Sequence, residues 1–185
     1  LEESLLRQGI PYRIYGGQRF YDRLEIKNAL SYLRLLLNRH DDAAVERVIN
    51  VPARALGDKT VAIIRSHARE QGCSMWQAVC EAATLGILPK RASSAAQGFV
   101  DLIDTMAEGV GELELHEIMD QVITQSGLIE HHKKEKGEKA QARLDNLDEL
   151  INAARQFVTQ DGVDLAMMAE DAAAETGEDP EALLE

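Results

Sequence analysis

The chain has 185 residues, 45% of them hydrophobic but only 4% aromatic, with four prolines; that is enough apolar material for a real core in one or at most two domains, and a composition that favours helices packed through Ala and Leu over a sheet-rich core. No apolar run approaches the roughly 20 residues needed to cross a bilayer, and no secretory signal opens the chain, which excludes membrane-spanning classes and points to a cytoplasmic setting. The formal charge of −12 argues against nucleic acid only on average: residues 11–70 hold eleven Lys/Arg against seven Asp/Glu, while residues 71–185 hold eight against twenty-three, so any phosphate-binding surface is to be sought in the first third.

In chain order, residues 1–9 read as the second half of an amphipathic helix, and Pro11 to Tyr15 as a short strand closed by the Gly16-Gly17 turn. Asp22 with Glu25 resembles a capping box ahead of Ile26, Ala29, Leu30, Leu33, Leu36 and Leu37, which follow helical spacing. The Asp41-Asp42 pair is placed to cap a helix carrying Val45, Val48 and Ile49. Pro52 breaks that pattern, and a loop through Gly57 leads to Asp58, the expected N-cap of a helix with Val61, Ile64 and His67. Ser74 begins another, with Trp76, Val79, Cys80 and Ala83 on one face. After the loop ending at Pro89, a helix is expected over about Ala92–Met106, then one over Leu115–Gln125 stopped by Gly127, a good C-cap. Leu144, Leu147, Ile151, Ala154 and Val158 mark a long helix from about Glu138 to Gln160, and Asp164–Glu175 forms one more. The expectation is an all-α bundle with one short N-terminal strand and no internal repeat. Cys73 and Cys80, about 10 Å apart if they share a helix, are too far apart for a bridge within it. Leu1 is not a start residue, and both ends read as cut within helices.

Three stretches carry a resemblance: GIPYRIYGGQRFYDRLEIKNALSYLRLL (residues 9–36), RVINVPARALGDKT (47–60) and EKGEKAQARLDNLDELINAARQF (135–157). Pro11-Tyr12, the paired Gly16 and Gly17, Phe20, Arg23 with Glu25-Ile26-Lys27, and Tyr32-Leu33-Arg34-Leu35 are its details. In this order and spacing the chain resembles the UvrD-like superfamily 1 DNA helicases, the UvrD, PcrA and Rep group. The resemblance implies that residues 1–17 are the edge of RecA-like domain 2A with its hinge, and residues 18–185 are subdomain 2B. The parent would be an ATP-dependent 3′–5′ DNA helicase of repair or replication. It would use ATP and Mg²⁺ bound elsewhere, in the cleft between two RecA-like domains, and this chain would work with the remainder of the helicase (domains 1A, 1B and 2A) and with other repair proteins. Subdomain 2B would contact double-stranded DNA weakly and without sequence preference.

The chain itself lacks the family's ATPase motifs. A phosphate-cradling loop needs G-x-x-x-x-G-K-[ST]; here Asp58 separates Gly57 from Lys59-Thr60, and Pro52 stands in place of the first Gly. In the resemblance, Arg54, Ala55, Leu56, Gly57, Lys59 and Thr60 form the DNA-binding turn, similar to a helix-hairpin-helix, where backbone N–H groups at a helix N-terminus meet a phosphate. The family usually has Gly-Ile-Gly here, and Ala55 replaces the first Gly; its methyl group either restricts φ or holds the backbone away from the phosphate. The bland alternative is an ordinary helix–helix turn. Gly16 and Gly17 suit a hinge between 2A and 2B, and equally a plain turn.

Other features are read conservatively. Lys133, Lys134, Lys136 and Lys139 alternate with Glu135 and Glu138, which fits a solvated helix end as well as a DNA patch. His131 and His132 are adjacent and point about 100° apart on a helix, with no H-x-x-x-H spacing, so no metal is assigned. Trp76 reads as core rather than as a base-stacking platform. The competing function is an acidic protein-interaction and autoinhibitory module, since residues 161–185 contain nine acids and no Lys or Arg.

Overall fold

A computed structural model describes residues 18–135 and 137–160, all helix and turn. The expected strand near Arg13, the Gly16-Gly17 turn and the helix at Asp164–Glu175 lie outside the described residues. The elements are α1 Gln18–Tyr21, α2 Leu24–Leu37, α3 Asp42–Val48, α4 Asp58–Gln71, α5 Met75–Thr84, α6 Lys90–Ala107, a 3₁₀ turn Val110–Glu112, α7 Leu115–Gln125, α8 Leu128–Lys133 and α9 Glu138–Gln160. The all-α expectation holds for this region.

Helix α2 is the axis, packed by α3, α6, α7 and α9. Because neighbours surround it, its buried surface is wider than the apolar stripe in the sequence. Ile26, Ala29, Tyr32 and Leu35 are buried, but so are Glu25, Asn28 and Ser31, whereas Leu37 is 75% exposed. The expected Asp22/Glu25 capping box does not form. Arg23 is the N-cap without a side-chain bond; Asp22 instead pairs with Lys27 at 2.8 Å, and Glu25 accepts from the Asn146 amide at 2.6 Å. A buried carboxylate takes the partner that offsets its desolvation, so Glu25 is drawn away from its own backbone.

The two aspartates after α2 divide their work. Asp41 caps α3, accepting from the Ala44 N–H at 2.8 Å. Asp42 reaches across to the Met75 N–H at 2.7 Å, while Ser74 caps α5 through the Gln77 N–H. The starts of α3 and α5 are thereby tied together. Cys73 precedes α5 rather than sharing its helix with Cys80, and both thiols are free. The buried face of α5 is Met75, Ala78, Val79 and Ala82, with Trp76, Cys80 and Ala83 on its flank. Helix α6 starts two residues before its expected first turn, because Pro89 serves as N-cap.

Helix α4 lies outboard, packed chiefly against α5. Its N-cap is Gly57, one residue ahead of the expected Asp58. At the far end, α7 opens with a reciprocal Glu114/Glu117 box and ends before Gly127, whose φ of 81° gives the left-handed turn into α8. Leu128 anchors α8, a six-residue helix that the sequence pattern did not reveal. Buried Ala140, Leu147, Leu150 and Ala154 hold α9 against α2, α7 and α8.

These caps predict a ranking. Asp41→Ala and Ser74→Ala should each lower urea-unfolding stability by about 1 kcal/mol. Asp22→Ala, which removes only an exposed ion pair, should cost less than about 0.5 kcal/mol. An Asp22→Ala loss as large as the other two would restore the capping-box assignment.

Candidate nucleic-acid interface

The turn between α3 and α4 is wound around one side chain. Asn50 Oδ1 accepts from the Arg54 N–H at 2.8 Å and the Leu56 N–H at 3.2 Å, and Leu56 is fully buried in the core. Between them Ala55 is forced to a φ of 62°, the left-handed region, which costs a residue with a Cβ about 1 kcal/mol relative to Gly. Of the two sequence readings of Ala55, the strained φ is therefore present.

Arg54 does not extend into solvent. Its guanidinium donates to the carbonyls of Pro52 at 3.0 Å, Val48 at 3.3 Å and Ser126 at 2.7 Å. It also lies 5.7 Å from the Tyr32 ring centroid and 5.8 Å from that of Phe99. The Tyr32 hydroxyl donates in turn to the Val51 carbonyl at 2.6 Å. Where the resemblance has Arg54 meeting a phosphate, the fold turns its guanidinium inward: its donors go to the carbonyl of Pro52 and to those of Val48 and Ser126, which end α3 and α7, where the helix dipoles are negative.

What the turn presents outward is Ala55, Gly57, Asp58 and Lys59, all exposed, with Thr60 half-buried behind them. Thr60 N–H bonds the Gly57 carbonyl at 2.8 Å. The N–H groups of Gly57, Asp58 and Lys59 have no acceptor among the described residues, nor does the Lys59 ammonium have an ion-pair partner there. Gly57 has an ordinary φ of −69°, and a Cβ built on it would meet nothing within 4 Å. Sterically the folded chain does not require glycine at this position, although glycine is a favoured N-cap.

The remaining cations are distributed as follows. Arg65 is held by Glu46 at 2.6 Å, a bond that raises its pKa further. Lys90 and Arg91 are exposed at the start of α6. Lys133 pairs with Glu130 at 2.9 Å, lowering that carboxyl's pKa, while Lys134 and Lys139 are exposed and Lys136 lies outside the described residues. The face of Trp76 is taken: the Arg39 guanidinium lies 4.9 Å from its ring centroid, and Phe99 meets it edge-on at 6.1 Å.

A second constellation was not legible from spacing. Arg23, Glu25, Arg143 and Asn146, from the first and third of the resembling stretches, come together. Asn146 accepts from Arg23 and donates to Glu25, and Arg143 Nε lies 3.9 Å from Glu25. Buried Glu25 was the only signal, and it is visible only once the fold places it.

The chain belongs to the UvrD-like helicase C-terminal domain family, whose profile matches residues 1–179. It is 51% identical over 157 residues to DNA helicase II of Escherichia coli (strain K12), covering 85% of this chain and 22% of that protein. It is 49% identical over 164 residues to DNA helicase II of Haemophilus influenzae, covering 89% and 23%, and 38% identical over 157 residues to the ATP-dependent DNA helicase PcrA of Staphylococcus aureus (strain Mu50), covering 85% and 21%. The chain thus spans between a fifth and a quarter of the length of these curated relatives.

Burial pushes the Tyr32 phenol up from 10.0 to about 12, with Arg54 opposing the shift. The folded state therefore holds this proton more tightly than the unfolded chain. The stability it contributes is complete below about pH 10 and is lost as pH rises through about 12. Urea midpoints measured from pH 8 upward should fall more steeply for the parent than for Tyr32→Phe; parallel curves would contradict the burial of the phenol. Ala55→Gly should raise stability by about 1 kcal/mol by relieving the positive φ.

Proposed function

We propose that this chain is the duplex-contacting, regulatory 2B subdomain of an ATP-dependent 3′–5′ DNA helicase, with residues 1–17 forming the edge of domain 2A and Gly16-Gly17 the hinge. ATP and Mg²⁺ would be bound by the motor domains 1A and 2A of the parent, and this chain would supply none of their ligands. The observation that carries the reading is the open N-terminus of α4: among the described residues, three N–H groups without an acceptor, a Lys59 without an ion-pair partner, and an N-cap glycine on which a Cβ would meet nothing within 4 Å. Membership of the helicase family supports it, as does the cationic balance of residues 11–70. Among the described residues no helix is long and apolar enough to cross a membrane, in keeping with a helicase acting on chromosomal DNA in the cytoplasm alongside repair proteins.

The contact is a positioning one. Phosphate oxygens accept from the α4 N–H groups and Lys59 adds charge, whereas no side chain on the turn is placed to read a base edge. Asp58, on the same rim, limits the attraction. With about two phosphates neutralised, binding to a hairpin duplex should show a log–log salt slope near −2.

Lys59→Ala should weaken duplex binding and reduce that slope by about one unit. Gly57→Val, whose Cβ would meet nothing within 4 Å, should weaken binding while costing no more than about 1 kcal/mol of stability as a poorer N-cap. Arg54→Ala should weaken binding only together with stability. Parent-like affinity and slope in both Lys59→Ala and Gly57→Val would remove the DNA role from this turn. The acidic interaction module formed with residues 161–185 would then be the better reading, and deleting that segment would abolish capture of a basic partner.

A further inference from the structure

His131 and His132 close α8, Glu135 follows one residue after its C-cap, and the fold turns the three side chains toward one another. Ligand atoms from all three lie within 4.8 Å of each other. The imidazole rings meet edge to face with centroids 5.0 Å apart, and His132 Nδ1 lies 3.1 Å from Glu135 Oε1. The C-cap Lys134 keeps right-handed helical dihedrals, and the Glu135 N–H bonds the His132 carbonyl at 3.0 Å, so Glu135 falls one turn beyond His132 on the same face.

A second observation is independent of that geometry. His132 is only 1% exposed, and its Nε2 is buried with no hydrogen-bond partner. A buried imidazole with an unsatisfied nitrogen is costly, and among the described residues only Arg39 Nη1 and His116 Nδ1 share that state. With Nδ1 engaged by Glu135, nothing among the described residues satisfies both ring nitrogens at once.

From these positions we infer that His131, His132 and Glu135 form a binding site for a divalent first-row transition metal such as Zn²⁺. Two imidazoles and one carboxylate are the donor set that such ions prefer, while Mg²⁺ and Ca²⁺ favour oxygen-only shells. Three protein donors leave an open position for water. Glu135 Oε1 already receives Arg143 at 2.6 Å, and its other oxygen accepts nothing among the described residues. Arg143 therefore orients the carboxylate but also opposes the ion by its charge, which sets a modest rather than a structural-zinc affinity. The site joins α8 to α9 and lies apart from the α3–α4 turn, so it does not depend on the DNA reading.

The test uses the 185-residue chain stripped with a chelator. Titration with Co²⁺ should give a single saturable visible absorption band at one equivalent, displaced by Zn²⁺. Calorimetry with Zn²⁺ should agree on one site, and Mg²⁺ should give no heat. His131→Ala and Glu135→Gln should each weaken binding by roughly tenfold or more, while His40→Ala and His116→Ala should not. His131 is only half-buried, so circular dichroism of His131→Ala should match the parent and separate ligand loss from misfolding. Absence of a saturable cobalt band, or parent-like zinc affinity in a folded His131→Ala together with Glu135→Gln, would overturn the site.

Discussion

The inward arginine of the α3–α4 turn ties together helix ends and aromatic rings from four helices. Arg54 brings a permanent positive charge into a region of helix ends and aromatic rings. Its desolvation is offset because Val48 ends α3 and Ser126 caps α7, so two helix dipoles point their negative ends at one guanidinium. The planar fork reaches carbonyls in several directions while its faces rest near Tyr32 and Phe99, a role that a lysine ammonium cannot fill. Tyr32 then seals the same cluster from the α2 side through Val51. Helices α2, α3, α6 and α7 thus share one polar knot inside the apolar core.

That knot explains the division of labour in the turn. A corner that must hold a helix N-terminus open to solvent cannot be stabilised by capping that N-terminus, since a cap would consume the N–H groups. Asn50, Arg54 and Leu56 fasten the corner from its inner side instead, leaving Gly57, Asp58 and Lys59 outside. The strain at Ala55 is tolerated because the anchors on both sides of it determine the backbone path. On the proposed reading, the weak charge left outside is consistent with a contact that forms and releases as the subdomain moves.

The sequence showed the architecture wherever a local signal was complete. Helix α7, with Gly127 beyond it, and α9 from Glu138 were both legible because a cap or a breaker coincides with the end of a periodic stripe. Helix α8 was missed because six residues do not establish a period, and its His-His-Lys end looked like solvated charge. The apolar stripe of α2 overlooked Glu25, Asn28 and Ser31, since a helix packed from several sides buries polar residues that find partners elsewhere. For the candidate site, the sequence reading put a turn where the structure has one, but not the inward direction of Arg54. Its decisive acceptor, Ser126, is 72 residues away, and backbone carbonyls leave no mark on composition. The same holds for Glu25 and Asn146, which are 121 residues apart.

The far end of the bundle obeys the same electrostatic logic with less to spare. Glu25 is 5% exposed, and a carboxylate so buried needs donors. Asn146 supplies a short one, but Arg143 stands 3.9 Å away and spends its closest bond on Glu135. Arg143 is therefore shared between a buried acid on α2 and a half-exposed one at the α8–α9 corner. The two acids compete for one guanidinium, so any cation that binds at Glu135 repels Arg143 and favours its closer pairing with Glu25. Since Arg23 also meets Asn146, that shift would reach the start of α2, where the resemblance puts the connection to the motor. On the metal proposal, the α8–α9 corner and the start of α2 are linked through Arg143, Glu25 and Asn146 to Arg23.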